Sequence, residues 1–188
     1  MMLRTISEDG ASEAHEVVAF WKEAGIELWF AQDDEFDARF RARFKALYER
    51  AIIGDLDHWI TSATGSLALI LLLDQYPRNS FRGSPQTYAT DAHARRIAWL
   101  ATEMGQDMLV DRELRLFMYL PFGHSEDIRH QEKAAELVEH LGPDFSRRAQ
   151  NYVGIIRRFG RFPHRNAILN RPNTPEEELF LRNGGFSG

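Results

Sequence analysis

Arginine, histidine and asparagine gather at three places in this chain, each beside a proline and directly after an apolar run. The first set is Asp74, Gln75, Arg78, Asn79 and Arg82, which follows SLALILLL. The second is His124, Ser125, Glu126, Asp127, His130 and Gln131, after LRLFMYLPFG. The third is Arg157, Arg158, Arg161, His164, Arg165 and Asn166, after NYVGIIRRF. Arginine grips a carboxylate or phosphate through parallel N–H bonds, and histidine near neutrality gives or takes a proton. The pattern reads as three greasy helices that stop at a proline with a polar cluster at the stop, and the expectation is that the stops converge on one site.

Each cluster has a structural reading beside the functional one. Asp74 follows seven apolar residues, so its carboxylate needs a partner: it either orients a site residue or ties helices together by an ion pair. Arg78, Asn79 and Arg82 are ligand candidates, or partners for Asp74 and for a helix end. His124 just before a helix start suits a general base or an anion site. Glu126 and His130, four apart, share a helix face with Gln131 beside them, but the spacing is no known zinc signature and no H-E-x-x-H occurs, so no metal is expected. Ser125 reads as a helix N-cap, since no G-x-S-x-G elbow surrounds it. In the third cluster the basic side chains suit a helix C-terminus, yet Phe159, Phe162 and Pro163 would stiffen the turn and give arginines a surface to stack on. That favours an anion clamp of Arg158, Arg161, Arg165, Asn166 and His164.

The elements that must hold these groups are helices. Asp33 and Asp34 open a helix whose Phe36, Phe40, Phe44, Leu47, Tyr48 and Ala51 share one face. A shorter helix before it, with Val17, Val18, Phe20 and Trp21, closes near Gly25, and Leu28, Trp29 and Phe30 should plug into the core from a connector. Leu67 to Leu73 reads as a fully buried helix, too short to span a membrane. Ser84 and Pro85 open a helix carrying Ala92, Ile97, Trp99, Leu100 and Met104, and Asp111 opens the next. Gly142 and Pro143 separate two further helices, and TPEE at 174–177 is a capping box with proline at the first helical position. No segment alternates with period two. The fold class is all-α, a stack of antiparallel helix pairs, with a flexible polar leader at 1–12 and a single domain over 13–188.

The totals exclude several function classes. A chain of 188 residues buries a real core. It has no cysteine, which removes disulfides and thiolate chemistry and fits a cytoplasmic setting. A net charge of −5 argues against nucleic-acid binding. No signal peptide, membrane span or cofactor motif is visible, so no cofactor is expected.

LALILLLDQYPRNSFRG at 67–83, YLPFGHSEDIRHQE at 119–132, RFGRFPHRNAIL at 158–169 and TPEEELFL at 174–181 resemble the bacterial family called domain of unknown function 924. The resemblance runs from about Val17 onward. It implies an all-α fold similar to a tetratricopeptide-repeat superhelix and implies no particular activity. Asn170 stands before Arg171 where the family pattern has glycine.

Three functions fit these residues. The first is a binding module whose Arg/His/Asn clamp takes a small anionic ligand or a peptide terminus. The second is a small-molecule hydrolase or transferase with His124 or His164 as acid/base, Glu126 or Asp74 as orienter, and arginines stabilising charge. The third is an interaction protein whose polar motifs are inter-helix locks, with aromatics near Trp21, Trp29 or Phe186 marking the partner face. A homodimer is compatible with all three.

Overall fold

The computed structural model describes residues 8–186, and every regular element among them is helical. The fold is all-α, and none of these helices is long and apolar enough to cross a membrane. The stretch read as one domain carries two compact units. One comprises the chain up to Arg82 with Gln86–Pro121, the other Gly83–Pro85 with the chain from Phe122 onward. Of the expected leader, residues 1–7 lie outside the described residues and 8–12 fall within the first helix.

In the first unit, α1 (Glu8–Trp29) passes through a break at Gly25 instead of ending there. Gly25 takes φ 70, a left-handed conformation that costs a residue without Cβ nothing, and the chain resumes helix to Trp29. α2 (Asp34–Ile52) is capped as its sequence predicts: the Asp33 side chain accepts from the Phe36 N–H at 2.7 Å. Phe36, Phe40, Phe44, Tyr48 and Ala51 bury one face of it, and Trp21 packs between the Phe36, Phe40 and Phe117 rings. Phe30 is not a core plug; it lies over Phe117 and stays 44% exposed.

The apolar run lies in α3 (Ala63–Ile70), a π-helical turn (Leu71–Gln75) and α4 (Tyr76–Ser80), which follow one another without a gap. Leu67 to Leu73 are all buried. The run does not stop at Pro77 as expected. The Tyr76 N–H reaches back five residues to the Leu71 carbonyl, and the wider turn makes room for the proline ring. Pro77 has no N–H to offer the Leu73 carbonyl four residues back, and the Thr90 hydroxyl donates to it instead.

Two starts differ from expectation. Pro85–Tyr88 forms only a 3-10 turn, and α5 (Asp91–Glu103) opens at Asp91, whose carboxylate faces Arg78. Residues 111–114 turn before α6 (Arg115–Gly123), which carries Pro121 inside it. Trp99, Leu100 and Met104, grouped by sequence with the apolar face of α5, point to solvent, and Ala94, Ile97, Ala98 and Ala101 face the core.

The second unit contains α7 (Ile128–Leu137), α8 (Pro143–Phe159) and α9 (Pro175–Arg182). α7 packs on α8, and α9 packs on a 3-10 turn at Pro163–Arg165. Ile155, Ile156 and Phe162 form its core, with Ile128, Tyr152, Phe159, Phe180 and Phe186 around them. The cap of α7 is Asp127, not Ser125: the Asp127 carboxylate accepts from the Arg129 N–H, and Ser125 Oγ accepts from the Asp127 N–H one turn earlier. The capping box at Thr174 and Glu177 is formed on both sides.

Replacing Thr90 by valine keeps its shape and strips the Leu73 carbonyl of its donor. Thr90→Val is expected to lower the unfolding free energy by ~1–3 kcal/mol in urea titrations, and an unchanged midpoint would mean that the carbonyl finds another donor.

Candidate functional site

The first cluster is committed within the first unit. Asp74 has no exposure; Gln75 Nε2 donates to its Oδ2 at 2.6 Å, and Arg78 Nη1 lies 3.1 Å from its Oδ1. Arg78 also forks onto Asp91 at 2.8 and 3.1 Å, donates to the Asp74 carbonyl at 2.8 Å, and lies over the Tyr88 ring. Asn79 and Arg82 share a different acid. Asn79 Nδ2 donates to Asp37 Oδ1 at 2.6 Å, and Arg82 reaches both Asp37 oxygens at 2.8 and 3.2 Å. Asp37 and Asp91 were absent from the sequence-based candidates. The readable signal for Asp37 is its place on the apolar stripe between Phe36 and Phe40, where an acid survives burial only with donors brought to it.

The second and third clusters meet in the second unit. Glu126 holds them together: its Oε1 accepts from the Phe162 N–H at 2.8 Å, and both its oxygens accept from Arg171, at 2.6 and 2.9 Å. Burial works against the charge on Glu126, but Arg171 and the Phe162 amide outweigh it and hold the carboxyl below its ordinary range. Arg171 also donates to Asn166 Oδ1 at 2.9 Å, and Asn166 Nδ2 donates to Asn173 Oδ1 at 2.8 Å. Arg171 was not a sequence candidate. Its position depends on Asn170, whose φ of 53 is left-handed, so that the Arg171 N–H closes onto the Asn166 carbonyl at 2.8 Å. Asparagine tolerates that conformation better than most residues other than glycine.

Arg158 and Arg161 face α9. Arg161 forks onto the buried Glu177 at 2.6 and 2.8 Å, and Arg158 pairs with the exposed Glu176 at 2.8 Å. Arg161, with the Thr174 amide behind it, holds the Glu177 carboxyl down at about 2. His130 and Gln131 serve the loop before α7: Ser125 Oγ lies 2.9 Å from His130 Nδ1, and buried Gln131 Nε2 donates to the Gly123 and Ser125 carbonyls, both at 2.6 Å. No group of three or more His, Asp or Glu side chains that could hold a metal ion occurs among the described residues.

The remaining residues form a corner around His164. Its ring meets Phe162 and, edge-on at 4.9 Å, Phe186. The buried Arg165 guanidinium lies 4.7 Å over the Phe162 ring. His164 Nδ1 is buried and makes no hydrogen bond to the described residues. Burial first, then the neighbouring Arg165, push the His164 imidazole down to about 4, with Arg171 and His124 adding to the depression and Glu126 opposing it. His164 is therefore neutral at pH 7. Tyr152 packs on Phe162 and Phe186, its phenol pushed up by burial and pulled back by Arg148 and Arg165. The corner thus joins a neutral imidazole, a buried cation and an aromatic wall.

The model of a family described as bacterial protein of unknown function (DUF924) matches residues 17–185. The chain belongs to this family. A solved structure of another protein of unknown function, from Agrobacterium tumefaciens, is similar to it at 48% identity and a TM-score of 0.91, covering 93% of this chain and 99% of that one. No curated protein matches the chain. Family membership thus agrees with the helical fold and leaves the chemistry to the side chains.

The depressed His164 pKa has a defined sign. In the unfolded chain the imidazole titrates near 6.5, in the folded one near 4, so folding stability is full above 6.5 and falls as pH drops through that window. The loss is at most ~3 kcal/mol, reduced by the ring's partial exposure. His164→Asn should flatten the dependence of melting temperature on pH between 6.5 and 4, and an NMR titration should place the wild-type ring near 4. A ring titrating at its ordinary value would contradict the burial of Nδ1.

Proposed function

We propose that this DUF924 protein is a binding module and that its ligand is a small anionic group, a peptide carboxylate or a small free anion, taken at the corner of His164, Arg165, His124 and Tyr152. One observation carries the reading: a buried guanidinium stands beside a neutral imidazole whose buried Nδ1 makes no hydrogen bond to the described residues. Arg165 and Arg171 both act on the Glu126 carboxylate, so cationic groups gather at this corner of an otherwise acidic chain. A neutral histidine can donate to an anion through one nitrogen, and an aromatic wall lowers the local dielectric that an ion pair feels.

The broader clamp narrows in this reading. Arg78, Asn79, Arg82, Arg158 and Arg161 each face an acid of their own unit, which supports treating them as inter-helix locks. An acid/base pair built on Glu126 gains nothing, because both its oxygens are already occupied by Arg171. A stack similar to tetratricopeptide repeats, working in the cytoplasm without a nucleic-acid or membrane partner, would suit capture of such a group.

The test is a thermal-shift titration of the intact protein with inorganic phosphate, acetate, and one short peptide in free-acid and C-terminally amidated forms. A ligand at a hundredfold excess over its dissociation constant stabilises by ~2.7 kcal/mol. The expected result is a shift with at least one anion that Arg165→Gln abolishes and Arg165→Lys retains in part, with the His164 ring resonance moving on addition. No shift with any probe, or a shift indifferent to both substitutions, would overturn the reading.

A further inference from the structure

Five large apolar side chains stand exposed in the C-terminal half of α5 and the 3-10 turn after it, Gln106–Leu109. Trp99 is 46% exposed, Leu100 43%, Met104 53%, Met108 59% and Leu109 76%. The turn packs directly on α5, and the Met108 N–H bonds the Gly105 carbonyl, so the five residues stay close together at that end of the helix. Side chains of this size, about half exposed, amount to several hundred Å² of apolar area, at the upper end of what an isolated protein leaves to water. That is a large part of the ~800 Å² per partner in a standard interface.

We infer that this face pairs with the same face of a second copy of the chain, α5 against α5 in antiparallel orientation. Self-complementarity argues for that occupant. On α5, Arg96, Trp99, Leu100 and Glu103 share the stripe directly opposite the core residues Ala94, Ile97, Ala98 and Ala101. Arg96 and Glu103 are both exposed and stand equally far from the midpoint between Trp99 and Leu100. A two-fold axis through that midpoint sets Trp99 against the partner's Leu100, and Arg96 of each copy against the partner's Glu103. The apolar pair then sits at the centre and opposite charges at the rim, the anatomy of a stable interface. Parallel pairing would set Arg96 against Arg96 and Glu103 against Glu103, which like-charge repulsion disfavours. Arg96 keeps its bond to Asp57 within its own copy at 2.6 Å, which fixes the guanidinium at the rim. Met104, just beyond Glu103, and Met108 in the following turn offer adaptable contacts outside that centre.

The chain has no native cysteine, so a single introduced thiol reports contact between copies without interference. Sedimentation velocity on the intact protein should show a concentration-dependent dimer. Leu100→Glu and, separately, the more exposed Leu109→Lys should each raise the dimer dissociation constant about tenfold or more while leaving the circular dichroism spectrum unchanged. Under mild oxidation, Leu100→Cys should form an inter-chain disulfide much faster than the exposed control Leu179→Cys. A single monomeric species at every concentration, a dimer untouched by both substitutions, or equal cross-linking at the two positions would overturn the inference.

Discussion

A carboxylate taken out of water must meet its donors at once, and the ends of these helices are arranged around that requirement. Asp74 is wholly buried at the end of a leucine run, and Gln75, Arg78 and the turn of the helix itself are recruited to it. Asp37 does the same for Asn79 and Arg82, Glu177 for Arg161, and Glu126 for Arg171 and the Phe162 amide. Breaking one such pair would strand a buried charge, which is strongly destabilising, so these contacts fix where each helix stops relative to its neighbours within its unit.

That requirement also sorts the basic residues by what is left for them to do. A guanidinium already forked onto an acid has spent its bidentate geometry, and a ligand would have to displace a partner held close to it. Arg78, Arg82 and Arg161 are in that position. Around His164 the balance differs: Glu126 accepts from Arg171 and the Phe162 amide, and the imidazole, buried first and then set beside Arg165, stays without its second proton. The same need to pair or neutralise buried charge thus closes the locks and keeps the His164 ring neutral.

Features settled by neighbours in sequence were legible there. The Asp33 cap, the Thr174 box and the buried Leu67 to Leu73 run each depend on residues a few positions apart. Features settled across the fold were not. Asp37 finds Asn79 42 residues away, and Glu126 finds Arg171 45 away, distances over which local propensity carries no information. The prolines misled because a π-helical turn absorbs Pro77 and α6 contains Pro121, where an isolated helix would break. The aromatics misled in the other direction: Trp21 is fully buried, and the uncovered indole belongs to Trp99. For the site, sequence reading expected Glu126 near the third cluster, where it accepts from the Phe162 N–H, and missed Arg171.

Pro77 has a consequence beyond the helix it sits in. By withholding the amide a regular helix would bring to the Leu73 carbonyl, it turns a backbone position into an address that a side chain from elsewhere can answer, and Thr90 answers it. The three positions 73, 77 and 90 therefore act as one unit: an amide restored at 77 would make the hydroxyl at 90 dispensable, whereas losing the hydroxyl alone would leave the carbonyl short of a donor.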